Sequence, residues 1–131
     1  MVHPPEEEHD PLGWTSPQTG ERARHVTLGF LSALAPAGGA DTDAVLLVVS
    51  ELVTNAVRHA GGVTALRLVD GPGTVTVSVE DASAVAPQPR HTSAAEPGGF
   101  GWHLVQELSA DVQVRIRPEG KTVSAVLPLP H

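Results

Sequence analysis

Between residues 41 and 60, apolar side chains recur at Val45, Val49, Leu52, Ala56 and Ala60 with no Gly or Pro among them, a spacing that predicts a helix. Asp41 stands where its N-cap is expected, and Gly61-Gly62 where it should stop. Upstream, Ser16-Pro17 reads as a cap followed by proline in the first turn. The helix it opens runs to about Ala35, with Ala23, Val26, Phe30, Leu31 and Leu34 inward and Arg22, Arg24 and His25 outward. Pro36-Ala37-Gly38-Gly39 ends it. Val63 to Asp70 reads as a strand and Gly71-Pro72-Gly73 as a turn. Thr74 to Glu80 then alternates strictly, Val75, Val77 and Val79 on one side against Thr74, Thr76, Ser78 and Glu80 on the other.

The pattern changes at Asp81. The stretch from there to Gly99 has no period and closes in Pro97-Gly98-Gly99; a loop of that length in a compact domain is a functional lid or a disordered connection. Gly101 to Ala110 reads as a helix with Leu104, Val105 and Leu108 inward. Val112, Val114 and Ile116 alternate with polar residues in a third strand, Pro118-Glu119-Gly120 turns the chain, and Lys121 to Leu127 is a fourth strand with Val123, Ala125 and Leu127 on one face. Short turns make each strand pair antiparallel, and polar outer positions leave one sheet face for the helices. The expected fold is α+β, a two-layer α/β sandwich with an antiparallel or mixed sheet. It occupies residues 16–131, behind a flexible tail, 1–15, rich in Pro, Glu and His.

Composition narrows the function classes. The 131 residues suffice for one core. The absence of Cys removes disulfides, thiolate metal sites and a cysteine nucleophile. A net charge of −7 argues against broad nucleic-acid or acidic-membrane binding. No apolar run approaches the ~20 residues of a membrane span, and the N-terminus lacks the basic-then-apolar pattern of a signal peptide. A cytoplasmic location is therefore expected. The single Lys, Lys121, against seven Arg, with abundant Ala, Gly, Pro and Val, is the coding bias of a high-GC, actinobacterial-type genome.

Candidate chemistry starts on the central helix. Glu51, Asn55 and His59 follow at i, i+4 and i+8 and share a face beside the apolar one. Alone, that face is equally a solvated edge suited to the helix dipole. Gly98, Gly99 and Gly101 precede a helix, where missing Cβ atoms and free N–H groups favour an anion, phosphate above all; alone, they equally make a hinge. No Gly-Lys-Ser/Thr follows, so this is not a Walker loop, and a Rossmann fingerprint would need a third Gly and a preceding strand. Asp81 ends a strand at the mouth of the loop, where a carboxylate can accept from an exocyclic amine such as adenine N6. By itself it is an ordinary strand-end residue, as Thr122 is an ordinary β-former.

Taken in order, the set is more specific: acid and amide at i and i+4, Asp-x-Ser after a strand, Gly-x-Gly opening a helix, Gly-x-Thr opening a strand. Over residues ~17 to 128 it resembles the ATP-binding domain of the gyrase, Hsp90, histidine-kinase and MutL superfamily, the Bergerat or GHKL fold. Within it, the sequence resembles most closely the small bacterial anti-sigma-factor serine/threonine kinases. The resemblance implies ATP and Mg²⁺ as cofactors. It assigns Glu51 as general base, Asn55 as Mg²⁺ ligand, and Asp81, in Asp81-Ala82-Ser83, as acceptor for the adenine amine assisted by Thr122. Gly99-Phe100-Gly101 would face the phosphates and residues 82–98 would form the ATP lid. Phe100 and Trp102 are bulkier than the family's pattern. The implied partners are a STAS-domain anti-sigma antagonist, which it would phosphorylate, and a sigma factor, which it would sequester; homodimers are frequent in the family. The alternative is an ATP-responsive interaction module with little or no kinase activity. Retention of Glu51 favours the kinase, because a pure binder needs no base.

Overall fold

The computed structural model describes residues 20–60, 63–83 and 101–131. They form α1 (Gly20–Leu34), α2 (Ala40–Ala60), β1 (Val63–Gly71), β2 (Thr74–Asp81), α3 (Gly101–Leu108), β3 (Asp111–Arg117) and β4 (Gly120–Pro128). The expected tail, the Ser16-Pro17 cap, the Gly61-Gly62 stop, Gly98 to Phe100 and most of the proposed lid lie outside the described residues.

Helix α2 starts two residues earlier than a cap at Asp41 would allow. Gly38 and Gly39 turn the chain at φ 70° and 116°, a region that favours glycine. The Gly39 carbonyl then accepts the first helical bond from the Asp43 N–H (3.1 Å) and a second from Thr42 Oγ1 (2.8 Å). Gly39, not Asp41, is thus the cap, and Asp41 and Asp43 sit in the first turn, where carboxylates suit the positive helix end. On α1 the buried Thr27 satisfies its hydroxyl by donating to the Ala23 carbonyl at 2.8 Å. Helix α3 stops at Leu108 rather than Ala110 because the Ala110 N–H donates to the Val126 carbonyl (2.7 Å), which turns the chain into β3.

The four strands form one antiparallel sheet in the order β1-β2-β4-β3. Each hairpin is local; the seam between them is the β2–β4 pairing, running from Thr74 opposite Pro128 to Asp81 opposite Lys121. On one face Val75, Val77 and Val79 lie beside Val123, Ala125 and Leu127, all buried. Helix α2 covers that face, touching β1, β2 and β4, while α1 lies against β1 and α3 against β3. Val45, Val48, Val49, Leu52, Val53 and Ala56 of α2 complete the core with Ala23, Leu31, Trp102 and Val105. Fully burying such aliphatic side chains contributes about 1.5–3 kcal/mol each. The other face is polar: the Ser78 and Ser124 hydroxyls bond across the seam at 2.9 Å, and Arg117 reaches Glu80 at 3.1 Å. The expected two-layer α+β architecture, with helices on one face, is the one observed.

The seam leaves no room at Gly120, where a Cβ would fall on the Asp81 carbonyl oxygen and within 3.2 Å of the Ala82 Cα. Because that obstacle is backbone, Gly120→Ala should destabilise the domain by about 1–3 kcal/mol, as overpacking does, read from the midpoint of urea unfolding. A change within about 0.5 kcal/mol, the range of inert surface substitutions, would contradict this packing.

Candidate functional site

Two clusters form at the edges of the core. The first joins α2 to α3. Glu51 and Asn55, one turn apart on α2, are half-buried beside the buried Leu52 and Ala56. The Glu51 carboxylate lies against the first residue of α3: a Cβ on Gly101 would land on Glu51 Oε1. Glycine is therefore needed for the carboxylate to lie where it does. A helix start carries unbonded N–H groups and positive partial charge, which stabilise an adjacent carboxylate. Trp102, the next residue, is buried in the core, so its bulk anchors α3 under the sheet. His103 on α3 and His25 on α1 are exposed. The side chain of His59 lies outside the described residues, as do Gly99 and Phe100.

The second cluster is at the end of the seam. Asp81 closes β2 on the inner face and is only 4% exposed. Its Oδ1 accepts from the Ser83 N–H at 2.9 Å, an Asx-type turn that ends the strand. Ser83 thus meets Asp81 through its backbone. The Lys121 ammonium stands 3.0 Å from Oδ1 and 2.8 Å from Oδ2, and Lys121 is itself 5% exposed. A buried ion without its counter-ion is strongly unfavourable, and removing one partner of such a pair typically costs about 3–5 kcal/mol.

The structure does not bring Thr122 to Asp81. Side chains alternate across a strand, so with Lys121 and Val123 inward, Thr122 turns outward. There it sits opposite Glu80 and accepts from Arg117 Nη1 at 2.9 Å. The side chain beside Asp81 is Lys121, which reading the sequence for motifs passed over. The phase of β4 carries the signal: if Val123, Ala125 and Leu127 face the core, so does Lys121, and an inward cation requires an anion opposite.

A family model of the histidine kinase-like ATPase domain matches residues 14–127, most of the chain. The chain belongs to the histidine kinase-like ATPase domain family. Two solved structures resemble this ATPase domain. One is the histidine kinase domain of the blue-light activated histidine kinase of Erythrobacter litoralis, with 24% identity, TM-score 0.51, and coverage of 86% of this chain and 61% of that one. The other is the blue-light activated histidine kinase of the same organism, with 23% identity, TM-score 0.51, and coverage of 86% and 42%. At these identities the likeness shows the fold. The chain spans about three-fifths and two-fifths of the lengths of these two proteins. No curated protein matches it.

The donor set suits the family's cofactors. Among the described residues no group of three or more His, Asp and Glu side chains could hold a metal ion. Mg²⁺ does not need one, since it keeps several waters and binds through one or two protein oxygens together with substrate phosphates. The Asn55 amide oxygen and the neighbouring Glu51 fit that habit, and Asp81 supplies a buried acceptor for an amine. Among the described residues no helix is long and apolar enough to cross a membrane.

The obstacle at Gly101 is the movable end of a side chain. Gly101→Ala should therefore leave urea-unfolding stability within about 1 kcal/mol, helped by the helix preference of Ala over Gly. It should displace the Glu51 carboxylate, visible in a crystal structure of the variant as a changed Glu51 rotamer. An unmoved Glu51 would refute the contact.

Proposed function

We propose that this ATPase domain is a Mg²⁺–ATP-dependent serine/threonine protein kinase of the anti-sigma-factor type. Its substrate would be a STAS-domain antagonist, and its second partner a sigma factor held while the antagonist is phosphorylated and released while it is not. The observation that carries the reading is the Glu51 carboxylate set against Gly101, the first residue of α3, one helical turn from Asn55. In this reading the carboxylate is the base, and the helix start beside it is the kind of site that meets phosphate oxygens.

The chain's own residues have four tasks. Glu51 accepts the proton of the attacking serine or threonine hydroxyl as its oxygen bonds to the terminal phosphorus and the bond from that phosphorus to the bridging oxygen breaks, releasing ADP. Asn55 holds Mg²⁺ through its amide oxygen. The start of α3 at Gly101 faces the phosphates. Asp81 accepts a hydrogen bond from the adenine amine. When bound, Mg²⁺ would neutralise charge on the phosphates; the protein adds position and electrostatics, which is most of what phosphoryl transfer requires. A cytoplasmic location and a homodimer accord with this role.

A second reading is an ATP-responsive interaction module without catalysis. The family match is to the histidine kinase-like ATPase domain and names no phosphate acceptor, and two partner-binding states require no base.

Transfer from labelled ATP to the STAS proteins of the source organism separates the two. The wild type should label at least one of them. Glu51→Ala should lower the rate by about 10²–10⁴-fold, the usual contribution of a general base, while binding Mg²⁺–ATP within a few-fold of the wild type. A wild type that binds Mg²⁺–ATP yet labels none of them would give the function to the second reading.

A further inference from the structure

Lys121 is the one lysine of the chain, and it is buried. Nothing in phosphoryl transfer as derived above uses it. The Asp81 carboxylate has roughly four acceptor positions, of which, among the described residues, the Ser83 N–H and the two Lys121 contacts occupy three. One position remains, enough for one amine hydrogen. The ammonium carries three hydrogens, and its two contacts with Asp81 take at most two of them. An acceptor and a charged donor therefore stand side by side, each with capacity for one more bond.

Their surroundings suit the edge of a flat base. Asp81, Lys121 and Ile116 are cross-strand neighbours in one row on the inner face. The row passes from two buried charges to an apolar side chain that is 51% exposed, so it opens on the β3 side. At Gly120 the missing Cβ lets β4 close tightly on the Asp81 backbone, which fixes where Lys121 leaves the strand.

We propose that Lys121 is a base-reading residue: it donates to the ring nitrogen N1 of adenine while Asp81 accepts from the adjacent amine N6. The proposal rests on the reading of Asp81 as the adenine acceptor and adds the residue that completes recognition of the edge. The pair has a polarity. Adenine presents a donor at position 6 and an acceptor at N1, matching carboxylate and ammonium in turn. Guanine presents an acceptor at position 6 and a donor at N1, which would set oxygen against carboxylate and N–H against ammonium. An ammonium, unlike a hydroxyl or a water, cannot reverse its role, because it has no acceptor. Lys121 thus fixes the preference that Asp81 alone would leave loose.

Binding of ATP, 1-deaza-ATP (carbon in place of N1) and GTP to the full chain with Mg²⁺, measured by titration calorimetry, tests this. The wild type should bind ATP at least about tenfold more tightly than either analogue, the scale of a buried hydrogen bond to a charged group. Lys121→Met keeps the unbranched stem and removes the donor; it should bring the ratio of ATP to 1-deaza-ATP close to one. Equal wild-type binding of ATP and 1-deaza-ATP would overturn the role of Lys121 and leave ATP binding intact. So would GTP binding as tightly as ATP, or discrimination that persists in a folded Lys121→Met. A wild type that binds none of the three overturns the adenine reading as well. If Lys121→Met does not fold, the wild-type comparison decides alone.

Discussion

The pairing of β2 with β4 is the constraint on which the rest of the molecule depends. Either hairpin alone would present one apolar face too narrow for α2 to cover. Joined at the seam, Val75, Val77 and Val79 meet Val123, Ala125 and Leu127, and the combined face is wide enough for α2 to lie across. The same register brings Asp81 and Lys121 together. A slip of one residue would turn Lys121 outward and leave Asp81 buried without its counter-ion. Core and ion pair therefore select the same register.

The second constraint is space at two glycines, and the two differ in kind. At Gly120 the neighbour is backbone, so the close approach belongs to the fold. At Gly101 the neighbour is the Glu51 carboxylate, so the close approach belongs to the site. Helix α3 is held from the other side by Trp102 and Val105 in the core. The Glu51 carboxylate is thus held between the start of α3 and its own helix α2.

Much of this was legible in the sequence, and the exceptions have physical reasons. The strict alternation of 74–80 and the helical period of 45–56 report directly on which side is buried, and both elements appear with those faces inward. Element ends were less legible: Asp41 is a good cap, but Gly39, already in a positive-φ turn, offers its carbonyl first. The seam was not legible, because alternation shows which face a strand buries and not which strand lies beside it. That Thr122 does not stand beside Asp81 has a related reason. Motif spacing counts residues along the chain, whereas a strand reverses its side chains at every step, so Lys121 and Thr122 belong to opposite faces. Trp102, conspicuous as a bulky residue in a glycine-rich segment, proved to be part of the core. Gly99 and Phe100 fall outside the described residues.

The ion pair links strands that are far apart in sequence, Asp81 and Lys121 being 40 residues from each other. Nothing local holds them together, so they meet only when the two hairpins have joined. A ligand gripping that pair binds the folded chain and not the unfolded one, and so becomes a stabiliser of the fold. Mass action sets the scale: at a hundred times its dissociation constant such a ligand adds about 2.7 kcal/mol, a sizeable part of the ~5–15 kcal/mol that holds a typical domain together. For a ligand held at that pair, its concentration and the stability of the fold are thermodynamically linked.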